Sequence, residues 1–190
     1  MRANAHENRQ AILIAAWRMF STVGIDVSMR TIASEAGVGI GTLYRHFPTK
    51  QDLLTGLFDY GRERLIDIID RHTAGWENAQ QATEAWSSFV HSVAELQLGA
   101  IATQVVPTIV ENLDFEADLV PRMNELMEQL ERVLHRARRW NLLREDVDAL
   151  HFHLGLAAIT RPLPDTAQQF VPDYQPWLVE TSVSYTHLTL

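Results

Sequence analysis

The sequence predicts an all-α protein in two parts. An N-terminal three-helix unit is built around a helix–turn–helix, and a helical bundle follows it. Three observations carry this reading. Apolar residues return every three or four positions through most of the 190 residues, the period of a helix with one buried face. No strand-like alternation is sustained before the last dozen residues. Glycine, proline and short polar side chains fall at the joints between periodic runs, where helices start and stop.

The first helix is expected from His6 to Val23, with Ile12, Ala16, Met19, Phe20 and Val23 on its apolar stripe. Gly24 ends it, as a glycine just past the last turn often does. The second runs from Ser28 to Ala36. Ser28 is placed to cap its N-terminus, and Val27 and Ile32 hold the two positions of a hydrophobic staple. Gly37 breaks it with the positive φ that a tight turn needs. The third helix, Ile40 to Phe47, is closed by Pro48. Thr49 then caps a fourth helix running to about His72, with Asp52 completing a capping box in place of the usual Glu or Gln. Leu53, Leu54, Leu57, Phe58, Leu65, Ile68 and Ile69 form its apolar side.

Longer helices follow after residue 75, over roughly 79–98, 100–112, 116–140 and 146–160. The first has a stripe of Ala82, Trp86, Phe89, Val90, Val93 and Gln97. In the third the stripe is Leu119, Met123, Leu126, Met127, Leu130, Val133, Leu134 and Trp140. Pro107 should kink or divide the second. The four prolines of Arg161–Pro176 predict a loop, and a last short helix is expected near Trp177. The tail 182–190 is rich in β-branched and hydroxyl side chains where a helix should continue, and is read as foreign to the native chain. The domains are thus expected at 1–50 and 51–190, with helix 49–72 joining them.

Charge divides the same way. The whole chain is acidic, at −8, which taken alone argues against a nucleic-acid binder. Residues 1–50, however, carry six basic and three acidic side chains, a net of +3; the remainder carries ten and 21, a net of −11. Such asymmetry points to a nucleic-acid or membrane contact at one end. There is no cysteine, so disulfides, thiolate metal sites and Cys nucleophiles are excluded. No apolar run approaches the ~18 residues of a membrane span. The N-terminus MRANAHENRQAI lacks the apolar core of a signal peptide. A cytoplasmic location away from membranes is expected.

The informative stretch is VSMRTIASEAGVGIGTLYRHFPTKQDLL, Val27–Leu54. Ala33 is small where two helices must cross, and Val38 and Leu43 would pack the second onto the first. One face of helix 40–47 is left free, carrying Thr42, Arg45 and His46 with Tyr44 at its side. Hydroxyls, an arginine and a histidine on a short helix suit phosphate and base-edge contacts in a major groove. Gly39 and Gly41 are each poorer helix formers than alanine by about 1 kcal/mol. Their place at a helix start makes sense if a sugar-phosphate chain comes close to the backbone.

With IASEAGVGIGTLYRHFPTKQDLL preceded by AAWRMFSTVGIDVSMRTI, residues 8–60 closely resemble the DNA-binding domain of TetR-family transcriptional regulators. The combination of AGV, TLYRHF and a lysine two residues past a proline is specific to that family, and GVGIGTLYRHFPT is most similar to a branch called SbtR-like. The resemblance implies DNA contacts from Thr42, Tyr44 and His46, a base or phosphate contact from Arg30, and phosphates held by Ser28 and Lys50 at two helix N-termini. Gly39 and Met29 stand where relatives carry hydroxyls, which removes phosphate contacts and leaves the fold intact. Phe47 is expected in the core.

The resemblance also implies a helical C-terminal domain that binds a small ligand and dimerises. Leu142–Pro162 is similar to the start of the family's dimer interface, with His151, Leu154, Gly155 and Ala158 as the expected contact residues. Small side chains there permit the close approach of a four-helix interface. An effector pocket is expected from Trp86, Phe89, Val93, Gln97, Gln104, Met123 and Met127, although a Met and aromatic stripe at helical spacing is more often plain core. No HExxH, G-x-S-x-G or P-loop pattern is present. His151 and His153, two apart on a helix, point in different directions, and His91 and Glu95 are read as a surface pair. No cofactor or metal is expected.

The reading is a homodimeric repressor on a near-palindromic operator, released by a small apolar effector of unknown identity, its acidic body held off the duplex. A TetR-like fold governed by a protein partner, and a helical-bundle enzyme with a DNA-binding head, are the alternatives.

Overall fold

A computed structural model describes residues 2–104, 120–161 and 169–185, with side chains for 4–102, 120–161 and 169–182. All regular structure among the described residues is helical. The chain divides into two compact units, Met1–Glu63 with Ala100–Leu113, and Arg64–Gly99 with Asp114–Leu190. The first unit therefore extends past position 50.

Helices α1 (Arg2–Thr22), α2 (Met29–Glu35) and α3 (Ile40–His46) pack pairwise in the first unit, which also takes the start of α4 (Lys50–His72). Ile12, Leu13, Ala16 and Phe20 of α1, Ile32 and Ala33 of α2, Leu43 and Phe47, and Leu53, Leu54 and Leu57 of α4 form one buried cluster. The glycines behave as the sequence requires: Gly24 and Gly37 take φ of 117° and 67°, out of reach of most other residues without strain. Val23 departs from the α1 stripe. The helix ends at Thr22 and Val23 is 68% exposed, because the Gly24 turn carries it away from the buried face.

The caps form as the spacing predicts. Ser28 Oγ accepts from Thr31 N at 3.1 Å. Thr49 and Asp52 cap each other, Thr49 N donating to Asp52 Oδ2 at 2.9 Å and Asp52 N to Thr49 Oγ1 at 3.1 Å. Val27 and Ile32 are both buried, which closes the staple.

The second unit is built from the end of α4, α5 (Ala79–Glu95), α7 (Val120–Arg139), α8 (Ala149–Ile159) and α9 (Tyr174–Tyr185), with α5 against α8 and α9, and α7 against α8. Its centre is aromatic. Trp86, Phe89 and Phe152 lie with ring centroids 5.6–5.8 Å apart. The expected helix 79–98 stops early, at Glu95, and α6 (Leu98–Gln104) begins after Gln97, whose φ is 52°. A close backbone approach explains the break. Gly99 N donates to the buried Thr160 Oγ1 at 3.1 Å, and a Cβ at Gly99 would collide with the Ala157 carbonyl. The last helix begins at Tyr174, earlier than expected, because Pro176 falls in its first turn, where a missing N–H costs nothing. It runs through to Tyr185, so the start of the tail continues the helix. Pro107, Leu119 and residues 186–190 lie outside the described residues.

Candidate nucleic-acid interface

Three local devices set the pose of α3. Gly37 turns the chain out of α2, Val38 N donates to Ala33 O at 3.0 Å across that turn, and Leu43 and Phe47 anchor the helix in the core. With its apolar side fixed, α3 presents the rest of its surface. Tyr44 is 48% exposed, Arg45 is exposed, and Thr42 and His46 are half-buried. On α2, Arg30 and Ser28 are exposed. Neither Arg30 nor Arg45 has an ion pair or hydrogen bond among the described residues. Arg18, by contrast, pairs with Glu35.

The two glycines are informative because the fold does not demand them. Gly39 caps α3 with φ −66°, without a side-chain cap bond, and Gly41 sits in the first turn. A Cβ on Gly41 would meet nothing within 4 Å, and one on Gly39 only Thr42 Oγ1 at 4.0 Å. Compare Gly56 and Gly61, whose added Cβ would strike Phe47 at 2.8 Å and Trp17 at 2.6 Å. Those two are internal packing glycines; Gly39 and Gly41 open outward.

Lys50 is used differently from the sequence expectation of a phosphate contact. Its ammonium donates to the Ile25 carbonyl and lies 5.8 Å from the centre of the Phe20 ring. It ties the start of α4 to the α1–α2 turn. Spacing could not show this, since the partner carbonyl is 25 residues away. Arg9, which the sequence did not single out, lies over the Phe47 ring at 5.3 Å. With His46, Gln51 and Asp52 it lines a cleft of about 510 Å³.

The comparisons with known proteins meet this geometry at the same place. The model of bacterial regulatory proteins of the tetR family matches residues 12–57, the span of the α1–α3 unit and the start of α4. An HTH-type transcriptional regulator of Staphylococcus aureus (strain USA300) is 45% identical over 73 residues, 38% of this chain and 37% of the relative. The chain therefore matches little more than a third of that relative's length. Two solved structures extend the likeness over nearly the whole chain. A TetR transcriptional regulator from Streptomyces coelicolor superposes with a TM-score of 0.69 at 26% identity, covering 96% of this chain and 99% of that one. A TetR transcription regulatory protein from Mycobacterium vanbaalenii gives 0.64 at 28%, covering 95% and 97%. Residues 12–57 thus match the DNA-binding segment of the TetR family, and the chain as a whole is similar to TetR-family regulators. That family and these relatives are regulators, not enzymes.

In the second unit the expected effector residues do not behave as one set. Trp86, Phe89 and Val93 are buried in the core of the second unit, while Met123 and Met127 are half-buried on α7. Gln97 is exposed and lines a separate cavity of about 290 Å³ with His91, Thr160, Gln175 and Val179. Its left-handed turn removes it from the α5 stripe. The Gln104 side chain lies outside the described residues. Trp86 borders a cleft of about 220 Å³ with Val90, His151, Phe152, Gly155 and Ile159. The buried Trp86 indole N–H has no hydrogen-bond partner among the described residues.

The expected dimer residues His151, Leu154, Gly155 and Ala158 share one face of α8, and all are exposed. His151 also serves the helix itself, its N–H donating to the N-cap Asp148 Oδ1 at 2.8 Å. That bond, with the imidazole contact behind it, holds the Asp148 carboxyl below its ordinary pKa. His91 does not pair with Glu95: its Nε2 lies 3.2 Å from Glu180 Oε2, and its Nδ1 is 2.7 Å from Ser87 O.

Proposed function

We propose that this chain is a homodimeric, DNA-binding repressor of transcription, released from a near-palindromic operator by a small apolar ligand. One observation carries the DNA-binding part. The free face of α3 and its neighbour α2 hold two arginines without partners among the described residues and a half-exposed tyrosine, beside two outward-opening glycines. Unpaired guanidinium groups suit phosphates and guanine edges, and a helix start without side chains lets a phosphate chain approach. Thr42, Tyr44, Arg45 and His46 read the groove, with Arg30 beside them. Ser28, Gly39 and Gly41 lie against the phosphates, and Lys50 holds the α4 end in place for that contact. Two such helices enter successive major grooves about 34–36 Å apart.

The α8 face of His151, Leu154, Gly155 and Ala158 joins the two copies. Its exposed apolar side chain and small neighbours suit a helix-on-helix contact. In the second unit the effector lies against the aromatic cluster, where the free Trp86 indole N–H favours a ligand with one hydrogen-bond acceptor. Such a ligand acts only through its differential affinity for the DNA-bound and released states. The likeness of GVGIGTLYRHFPT to an SbtR-like branch supports that branch for the chain within this reading.

The test starts from genomic fragments enriched on the purified protein. Arg30→Ala and Tyr44→Ala are expected to weaken binding about 5- to 150-fold, the range for lost base or phosphate contacts, with unchanged thermal melting. Binding of wild type should fall steeply with salt, as counterion release requires. Normal affinity of either mutant across the salt titration removes that residue from the interface.

A further inference from the structure

We propose a second small-molecule site in the second unit, taking a planar aromatic carboxylate between Trp76 and Trp140. The cavity measures about 430 Å³ and is lined by Trp76, Arg136, Arg139 and Trp140. That volume falls within the ~300–1,000 Å³ usual for small-molecule sites. It shares no residue with the cleft beside Trp86 or with the expected effector set, so it stands independently of the effector reading.

The fold builds both indole walls. Gly75, at φ 82°, turns the chain out of α4, and Trp76 follows it. Trp76 is almost fully buried and donates its indole N–H to the His72 carbonyl at 2.8 Å, which fixes the ring. On the other side, Asn141 takes φ 56° and the α7 end closes around it, Leu142 N donating to Ala137 O at 2.9 Å and Asn141 N to Arg138 O at 2.9 Å. This sets the backbone of Trp140, whose ring stays partly open to solvent. Arg136 donates to the Thr73 carbonyl, so it is tied to the turn that carries Trp76.

The charges decide the ligand class. The residues after position 50 are strongly acidic, yet five of their ten basic side chains are Arg132, Arg136, Arg138, Arg139 and Arg144. Arg138 is matched by Glu131 and Arg144 by Asp146. Among the described residues no carboxylate lines the cavity. Arg139 is exposed and has no partner among the described residues. One free guanidinium fork matches one carboxylate through two parallel hydrogen bonds. Arg136 is tethered to the Thr73 carbonyl, which leaves Arg139 as the guanidinium free to turn its whole fork to the ligand. The partly open Trp140 ring then takes a flat apolar body by stacking, against the nearly buried Trp76.

The experiment is calorimetric titration of the full chain with 2-naphthoate and with its neutral counterpart, 2-naphthamide. Saturable naphthoate binding is expected, with the amide at least tenfold weaker. Arg139→Ala should weaken naphthoate roughly 10- to 100-fold, the scale of a lost charge-assisted pair, without changing thermal melting. Arg139→Lys should restore only part of this, because an ammonium lacks the fork. Trp140→Leu should weaken both probes alike. Absence of naphthoate binding to wild type, equal affinity for the two probes, or unchanged naphthoate affinity in Arg139→Ala would each overturn the proposal.

Discussion

The two units treat charge in opposite ways. On the first, Arg30 and Arg45 stand exposed on the surface around α3, without partners among the described residues. On the second, charges are matched at short range, Arg138 with Glu131 at 2.6 Å and Arg144 with Asp146 at 2.5 Å. The Arg144–Asp146 pair is exposed and contributes little to stability, so its value lies elsewhere. Such pairing removes free cations from an acidic surface, whereas residues 1–50 keep a net charge of +3. Net charge is thus a poor guide to function until it is divided along the chain. Where a cation of the second unit does escape pairing, as at Arg139, it stands beside two indoles, and the same logic marks it as a site.

The units also differ in what their buried aromatics do, and the largest predicted effect tests that difference. In the first unit Phe20 and Phe47 are plain core beneath the interface helix. In the second, Phe89 lies within 5.8 Å of both Trp86 and Phe152 and was expected to touch ligand. If the cluster is packed as tightly as it is buried, Phe89→Ala should cost about 3–5 kcal/mol in denaturant unfolding. A loss under about 1 kcal/mol would mean that the cluster is loose enough to admit a ligand, and the contrast with the first unit would sharpen into core against cavity.

This contrast also explains what the sequence could reveal. Ser28 and Thr31, Thr49 and Asp52, and Gly37 between two short helices act within four residues of one another, so spacing alone exposes them. The whole helix–turn–helix was legible for that reason. Lys50 was legible as a helix-start cation but not in its use, because Ile25 reaches it only through the fold. In the second unit the decisive contacts are all distant: Gly99 on Thr160, His91 on Glu180, Arg136 on Thr73. Periodicity found the helices there and ran α5 too far, because the turn at Gln97 is imposed by the backbone packing of Gly99 and not by a local breaker. The same long-range dependence scattered the predicted effector residues between core, cleft and surface.

A second test asks whether the α8 face is an interface or merely exposed. Leu154 is 58% exposed and its helix is held from the other side by Phe152 and Leu156. Leu154→Glu should therefore leave the melting of a dilute, monomeric sample nearly unchanged. At a joined face it would bury an unpaired carboxylate, which is strongly unfavourable. Sedimentation should then show dimer dissociation at least tenfold tighter in wild type than in the mutant, a difference of about 1.4 kcal/mol or more. DNA affinity should fall with it, because one recognition helix alone reads only half a site. An unchanged dimer would move the interface to another surface.

The smallest effect is the most discriminating for the first unit, because stability and function should move in opposite directions. Gly41 lies in the first turn of α3 with ordinary negative φ and empty space where a Cβ would go. Alanine is the better helix former by about 1 kcal/mol, so Gly41→Ala should raise the unfolding free energy by up to that amount. The added methyl would occupy the space through which a phosphate chain reaches the helix start, and operator affinity should drop several-fold. A glycine kept for folding would give the reverse: lower stability with DNA binding following it down. A more stable mutant that binds DNA as well as wild type would show that the opening at Gly41 serves neither, and would leave the interface to Arg30, Arg45 and Tyr44.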